Sequence, residues 1–352
     1  MSTLRIGVNL HPKARAGQER SAAEKIYLPQ FLRQLNPSAI VVMDDFPLAQ
    51  DLHSALPQTI VIYRQYNPAE GHMWKVISPE QYFANQRGIS KPGMPLYVLN
   101  EPDSKMPIDD LRASINWLVR VMDIYASAGL SICAHNLGAG HPDYSWFTDN
   151  VKWAAVKPLF DAMRRYPMHF WALHPYWGQL GLRPEDGQSA RHREIERLLK
   201  ARGYDMPPVL FTETGRDKYG DSNTSGWRST GITEEAYAAE IVTARNTLWT
   251  ESYIRGATVF CYGSTTEQWR SFDIEDAKIL HTALIGANQS APPQQPPKPD
   301  PIPPILHPPE PSQAEKDIRR LAEIDSQILA LEVEMHNILA RWKPVSNATK
   351  VA

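Results

Sequence analysis

Eight times between residues 5 and 285, an apolar run of strand length ends in a polar tip and is followed by a segment with helical periodicity. Continuous apolar strands alternating with helices specify a parallel sheet whose outer face is covered by those helices. The runs are Arg5–Leu10, Ala39–Met43, Thr59–Tyr63, Leu96–Leu99, Leu130–Ala134, His169–Leu173, Val209–Phe211 and Ala257–Tyr262. Helices are expected at about 21–35, 48–56, from Ser78 onward, and at 111–125, 150–165, 189–202, 234–249 and 275–285. The signals are local and physical. Ser78-Pro79-Glu80 joins an N-cap serine to a proline at the first helical position. Leu111, Ile115, Leu118, Met122 and Tyr125 recur at helical spacing until Gly129 ends the pattern. Eight such units match a (β/α)8 TIM barrel in number and length. A doubly wound open sheet would need a glycine-rich phosphate turn after the first strand, where Asn9-Leu10-His11-Pro12-Lys13 stands instead.

The chain has 30 prolines, and eleven of them fall in the twenty residues from Pro292 to Pro311. Such a segment cannot form a helix or a sheet interior and tends to a stiff, extended spacer. Beyond it, Leu321, Ile324, Ile328, Leu331, Met335, Ile338 and Trp342 are separated alternately by three and four residues, a heptad seam. Pro344 ends it. The expected organisation is therefore a barrel over 1–287, a proline-rich linker over 288–312, a coiled-coil helix over 313–343 and a tail over 344–352. Self-association through 313–343 is expected, as dimer or trimer; a helix lying on the barrel flank is the alternative.

In barrels of this kind, active sites lie at the C-terminal ends of the strands. The fourth run ends in Asn100-Glu101-Pro102-Asp103 and the seventh in Thr212-Glu213-Thr214-Gly215. Glutamates on these two strands can bring their carboxyl groups to about 5 Å, the separation of a retaining glycosidase; an inverting enzyme needs roughly 6.5–9.5 Å to admit water. One carboxyl must keep a proton near neutral pH and the other must not, which their surroundings decide.

With Asn100-Glu101 on strand four, His174-Pro175-Tyr176 on strand six and Glu213 on strand seven, residues 1–287 resemble the clan A glycoside hydrolases, retaining enzymes built on (β/α)8 barrels. The resemblance implies Glu101 as acid/base and Glu213 as nucleophile. It also implies Asn100 on the hydroxyl beside the reacting carbon, Tyr176 on the nucleophile, and His174 lining that subsite. Two features depart from the family pattern. Its usual arginine ends strand two, whereas Arg64 ends strand three. Its usual strand-eight tryptophan is missing from Phe260-Cys261-Tyr262-Gly263-Ser264, which leaves Tyr262 or Trp269 to supply a stacking face.

Arg64, His11, Asn136 and Trp177 complete the expected substrate-binding set. Trp177, Trp227, Trp269 and Tyr66, read as loop residues, suit stacking on pyranose rings, and Arg216–Arg228 reads as a long mouth loop. His135, His141 and Asp143 match no common ligand spacing, so no metal and no cofactor are expected.

A net charge of −2 supplies no field for nucleic acid, and no run of about 18 apolar residues marks a membrane span. Cys133 and Cys261 lie in apolar runs and read as free buried thiols. No signal peptide is visible at the N-terminus, so the default expectation is a cytoplasmic location or carriage on a larger particle. The function expected is retaining hydrolysis of β-glycosidic bonds in an oligo- or polysaccharide. The alternative is a catalytically retired, carbohydrate-binding barrel serving as an oligomeric scaffold.

Overall fold

The computed structural model describes residues 4–11, 22–183, 188–219, 224–264 and 269–290. From residue 291 onward the expected linker, the whole expected coiled-coil helix and the tail lie outside the described residues. The barrel strands are β1 (Ile6–Leu10), β2 (Ala39–Met43), β3 (Ile60–Arg64), β4 (Leu96–Asn100), β5 (Ile132–Leu137) and β6 (Phe170–Leu173), followed after a short β7 (Tyr176–Trp177) by β8 (Val209–Arg216) and β9 (Ile254–Tyr262). Each pairs in parallel with its neighbour, β6 pairs with β8, and β9 returns to β1. The ring of eight closes without β7, which extends the edge of β8 through Tyr176 and Trp177. The fold is a TIM barrel.

The helices are α1 (Ala22–Leu35), α2 (Phe46–Ala55), α3 (Pro79–Gln86), α4 (Ile108–Ser127), a single turn α5 (Ser145–Thr148), α6 (Asn150–Arg165), α7 (Arg191–Ala201), α8 (Glu234–Thr243) and α9 (Lys278–Gln289). Their bounds differ from expectation where side chains cap or interrupt. Helix α2 starts two residues early because Asp45 accepts the Leu48 amide as N-cap. Helix α9 starts three residues late, since Asp273 accepts the amides of Gly263 and Glu275 and holds that stretch as a loop. The expected single helix over 234–249 widens after Thr243 into a π turn, Ala244–Leu248, where buried Arg245 donates to the Leu4 carbonyl.

Strand alternation divides the core. Val41, Ile62, Tyr97, Cys133, Ala172 and Leu210 fill the barrel interior, while Ile40, Val42, Val98 and Ala134 pack outward. The alternation breaks in β4 and β5 together. Leu99 (φ 57°) and His135 (φ 54°) are left-handed, one in each strand between the paired positions Val98↔Ala134 and Asn100↔Asn136. Each costs on the order of 1–3 kcal/mol of backbone strain. Each spends one residue without changing face. Tyr97 and Asn100, three apart, therefore meet inside the barrel, where the Tyr97 hydroxyl donates to Asn100 Oδ1 at 2.7 Å.

Candidate active site

Glu213 stands at the C-terminal end of β8 and is nearly buried, its side chain 9% exposed. Arg64, at the end of β3, donates from Nη1 to Glu213 Oε1 at 2.8 Å, and the Tyr176 hydroxyl donates to Oε2 at 3.0 Å. Arg64 is also held by Glu70 at 2.6 Å and sits over the Tyr97 ring, its Cζ 4.8 Å from the centroid. Beneath Glu213, Asn9 and Thr258 both donate to the Thr212 carbonyl and fix the strand end.

Glu101 follows β4 in a left-handed conformation, φ 45°, and its side chain is 49% exposed at the mouth. His174, wholly buried, places Nδ1 2.9 Å from Glu101 Oε1 and 3.7 Å from Glu213 Oε2. Burial alone would raise the Glu101 pKa. The hydrogen bond and charge of His174, with Arg64 and His141, outweigh it and hold the carboxyl below its ordinary value. Burial would likewise lower His174, yet Glu213 and Glu101 together raise it. A carboxylate oxygen of Glu101, a ring nitrogen of His174 and a carboxylate oxygen of Glu213 all lie within 4.8 Å of one another. Three such donors can hold a cation, and the Arg64 guanidinium already sets a positive charge against Glu213. On the far side of Glu101, Gly138 leaves no room for a side chain: a Cβ there would stand 2.8 Å from Glu101 Oε1.

The structure thus gathers Glu101, Glu213, Asn100, His174, Tyr176 and Arg64 into one cluster at the mouth. Arg64 reaches it from β3 and binds the Glu213 carboxylate, with both ends of its guanidinium committed. His11, just after β1, is 3% exposed and edge-on to Phe260 at 5.0 Å, and burial with the Arg64 charge pushes its pKa down to about 3.

Three expected substrate contacts are corrected. Asn136 is fully buried, and its amide donates to the carbonyls of Val98, Leu99 and Cys133, so it clamps the distorted end of β4 rather than facing a ligand. Trp177 is fully buried as well, packed on Trp249 with its Nε1 donating to Glu240. Tyr262 turns outward and stacks on Phe31 and His281. The last barrel strand instead buries Phe260 among His11, Tyr176, Trp269 and Phe272. Trp227, expected in a loop, is buried and stacked on Tyr237. Trp269 is half-buried, and Tyr66 is exposed. His135 leaves the mouth for the outer core, stacked on Trp146.

Sequence reasoning missed Tyr97 and Glu70. Tyr97 looks like an ordinary interior strand residue, and only the backbone reversal at Leu99 brings it beside Asn100. Glu70 lies in the loop after β3 with no motif around it. Both cysteines are buried free thiols, and no helix among the described residues is long and apolar enough to cross a membrane.

No family model and no curated protein matches the chain. Solved structures similar to it include a GH128 (subgroup II) endo-beta-1,3-glucanase from Pseudomonas viridiflava, 16% identical over 83% of this chain and 99% of that one, with a TM-score of 0.46. A beta-glucuronidase from Bifidobacterium dentium is 15% identical over 81% of this chain and 48% of that one, at a TM-score of 0.49. A GH5-4 broad specificity endoglucanase from Clostridum cellulovorans is 11% identical over 83% and 96%, at 0.46.

Proposed function

We propose that the protein is a retaining glycoside hydrolase in which Glu213 attacks the anomeric carbon while Glu101 protonates the departing oxygen. The observation that carries this reading is the pair of carboxylates from opposite sides of one barrel mouth, with oxygens within 4.8 Å of each other and unlike surroundings. That spacing suits direct attack better than a water-mediated inversion. Glu213, held in place by Arg64 and Tyr176, is positioned as the nucleophile. Glu101, more exposed and hydrogen-bonded to a protonatable imidazole, stands where a leaving group can depart into solvent. Asn100 has its carbonyl oxygen taken by Tyr97, which leaves its amide hydrogens for a sugar hydroxyl. Trp269, half-buried beside Phe260, offers an apolar face for a pyranose ring.

In the first step Glu213 forms the glycosyl ester as the proton from Glu101 leaves with the aglycone. In the second, Glu101 takes a proton from water, which then cleaves the ester. The substrate proposed is a β-linked oligo- or polysaccharide, and multimerisation through 313–343 would strengthen hold on a polymer. Replacing Glu213→Gln should lower turnover by roughly three orders of magnitude or more while the fold persists. Nuclear magnetic resonance of the first-formed sugar should show the β anomer. Undiminished hydrolysis by the variant, or an α anomer, contradicts the assignment.

A further inference from the structure

Glu101 is held below the ordinary carboxylate range in the resting site, so the proton it must deliver has to come from elsewhere. The hydrogen bonds around His174 say where it is kept. The Tyr97 hydroxyl has one hydrogen, and that hydrogen goes to Asn100 Oδ1 at 2.7 Å. Toward His174 Nε2, 3.0 Å away, the same oxygen can act only as acceptor. Nε2 must then carry a proton. Nδ1 faces Glu101 Oε1 at 2.9 Å, so one proton lies between them, and the lowered Glu101 and raised His174 place it on the ring. An imidazole that donates at both nitrogens is an imidazolium.

We propose that Tyr97 is a positioning residue that keeps His174 doubly protonated, making His174 the proton reserve from which Glu101 is charged. This deepens the glycosidase reading and rests on it. The charges around the ring fit. Glu101 from the end of β4, Glu213 from β8 and Glu70 from the loop after β3 put three carboxylates in the cluster, and Arg64 from β3 is the cation they share. The Tyr97 and Tyr176 phenols also face His174, and burial keeps both neutral. A second cation at His174 brings the cluster close to balance.

The proton's path balances. As Glu213 Oε bonds to the anomeric carbon, its negative charge is lost, and with it one of the attractions that hold the proton on His174. The Nδ1 proton crosses to Glu101 Oε1, and the Glu101 carboxyl gives up a proton to the glycosidic oxygen as the carbon–oxygen bond breaks. His174 is left neutral and Glu101 ionised. When water attacks the ester, Glu101 accepts its proton and returns one to Nδ1, and Glu213 leaves as carboxylate. Tyr97 does not move; it keeps the acceptor at Nε2 in place throughout.

The test is Tyr97→Phe in the full-length chain, assayed on 2,4-dinitrophenyl and phenyl β-glycosides of a sugar the wild type hydrolyses. Losing the acceptor should move the basic limb of the kcat/KM profile about one to two pH units toward acid. Near neutral pH the phenyl glycoside, whose leaving group needs the proton, should lose about tenfold more than the dinitrophenyl glycoside, which shares only the loss from the released Asn100. An unmoved limb, or equal loss on both substrates, overturns the proposal. A readout independent of turnover is 15N resonance of labelled histidine, with the His174 signals identified by their absence in His174→Gln. Wild type should show both nitrogens protonated above pH 6.5, and Tyr97→Phe should titrate lower; a neutral single tautomer in wild type overturns the proposal. Failure of the underlying reading looks different: Glu213→Gln would hydrolyse like wild type whatever the resonance shows.

Discussion

Two glutamates with the same side chain are made unlike by what touches them. Glu213 is surrounded by donors, and Glu101 by a histidine and a glycine. The glycine gives a direct check on how finely Glu101 is placed. Gly138→Ala would set a methyl group 2.8 Å from Glu101 Oε1, and the half-exposed Glu101 side chain would have to swing toward solvent. The variant should melt close to wild type and lose turnover about ten- to a hundredfold. Calorimetry beside the aryl glycoside assay separates the two effects. The Glu101–His174 pair also links the site to stability. His174 is raised above its ordinary 6.5, so its contribution is fully present below that pH and lost as pH climbs through the folded value. Glu101 is lowered from 4.5, so its contribution is present above that value and lost as pH falls. The pair therefore stabilises most between about pH 4.5 and 6.5. Melting temperature measured against pH should show His174→Gln flattening both shoulders of that window; a parallel curve would show that the pair carries no such linkage.

At the scale of elements, the site depends on paired irregularities in β4 and β5. Apolar runs and helical periodicity made the eight strands, their order and most of the helices legible in the sequence, because burial on both faces leaves an unmistakable pattern. The same pattern assumes strict alternation, and Leu99 and His135 break it without any glycine or proline to announce the break. Asn136 was read as a ligand contact for that reason, when its amide holds the carbonyls of Val98 and Leu99 in place. Asn136→Ala should destabilise the barrel by about 1–3 kcal/mol, since it strands buried carbonyls and lets the strained turn relax. Denaturant unfolding measures the loss, and turnover should fall further than the population of folded protein accounts for. A neutral variant would mean that the reversal at Leu99 is held by other contacts. Tyr262 and Trp177 were misplaced for a related reason. Aromatic residues at strand ends look alike in sequence, and only the packing against Phe31 or Trp249 decides which way each ring turns.

For the molecule as a whole, the sequence divides the work between a barrel that carries the carboxylate pair and a C-terminal segment that we propose multimerises it. Removing residues 313–352 should lower the mass in solution to that of one chain by light scattering. It should leave turnover of a small aryl glycoside per site unchanged and weaken action on a polymer. An unchanged mass would assign self-association elsewhere. Two carboxylates meet across one mouth, and covalent trapping tests their assigned roles most directly. The protein is incubated with a panel of 2,4-dinitrophenyl 2-deoxy-2-fluoro-β-glycosides and examined by peptide mass mapping. One sugar of the panel should add a single glycosyl unit on the peptide that carries Glu213; a stable adduct on any other residue, or hydrolysis of β-glycosides with no covalent intermediate, would contradict those roles.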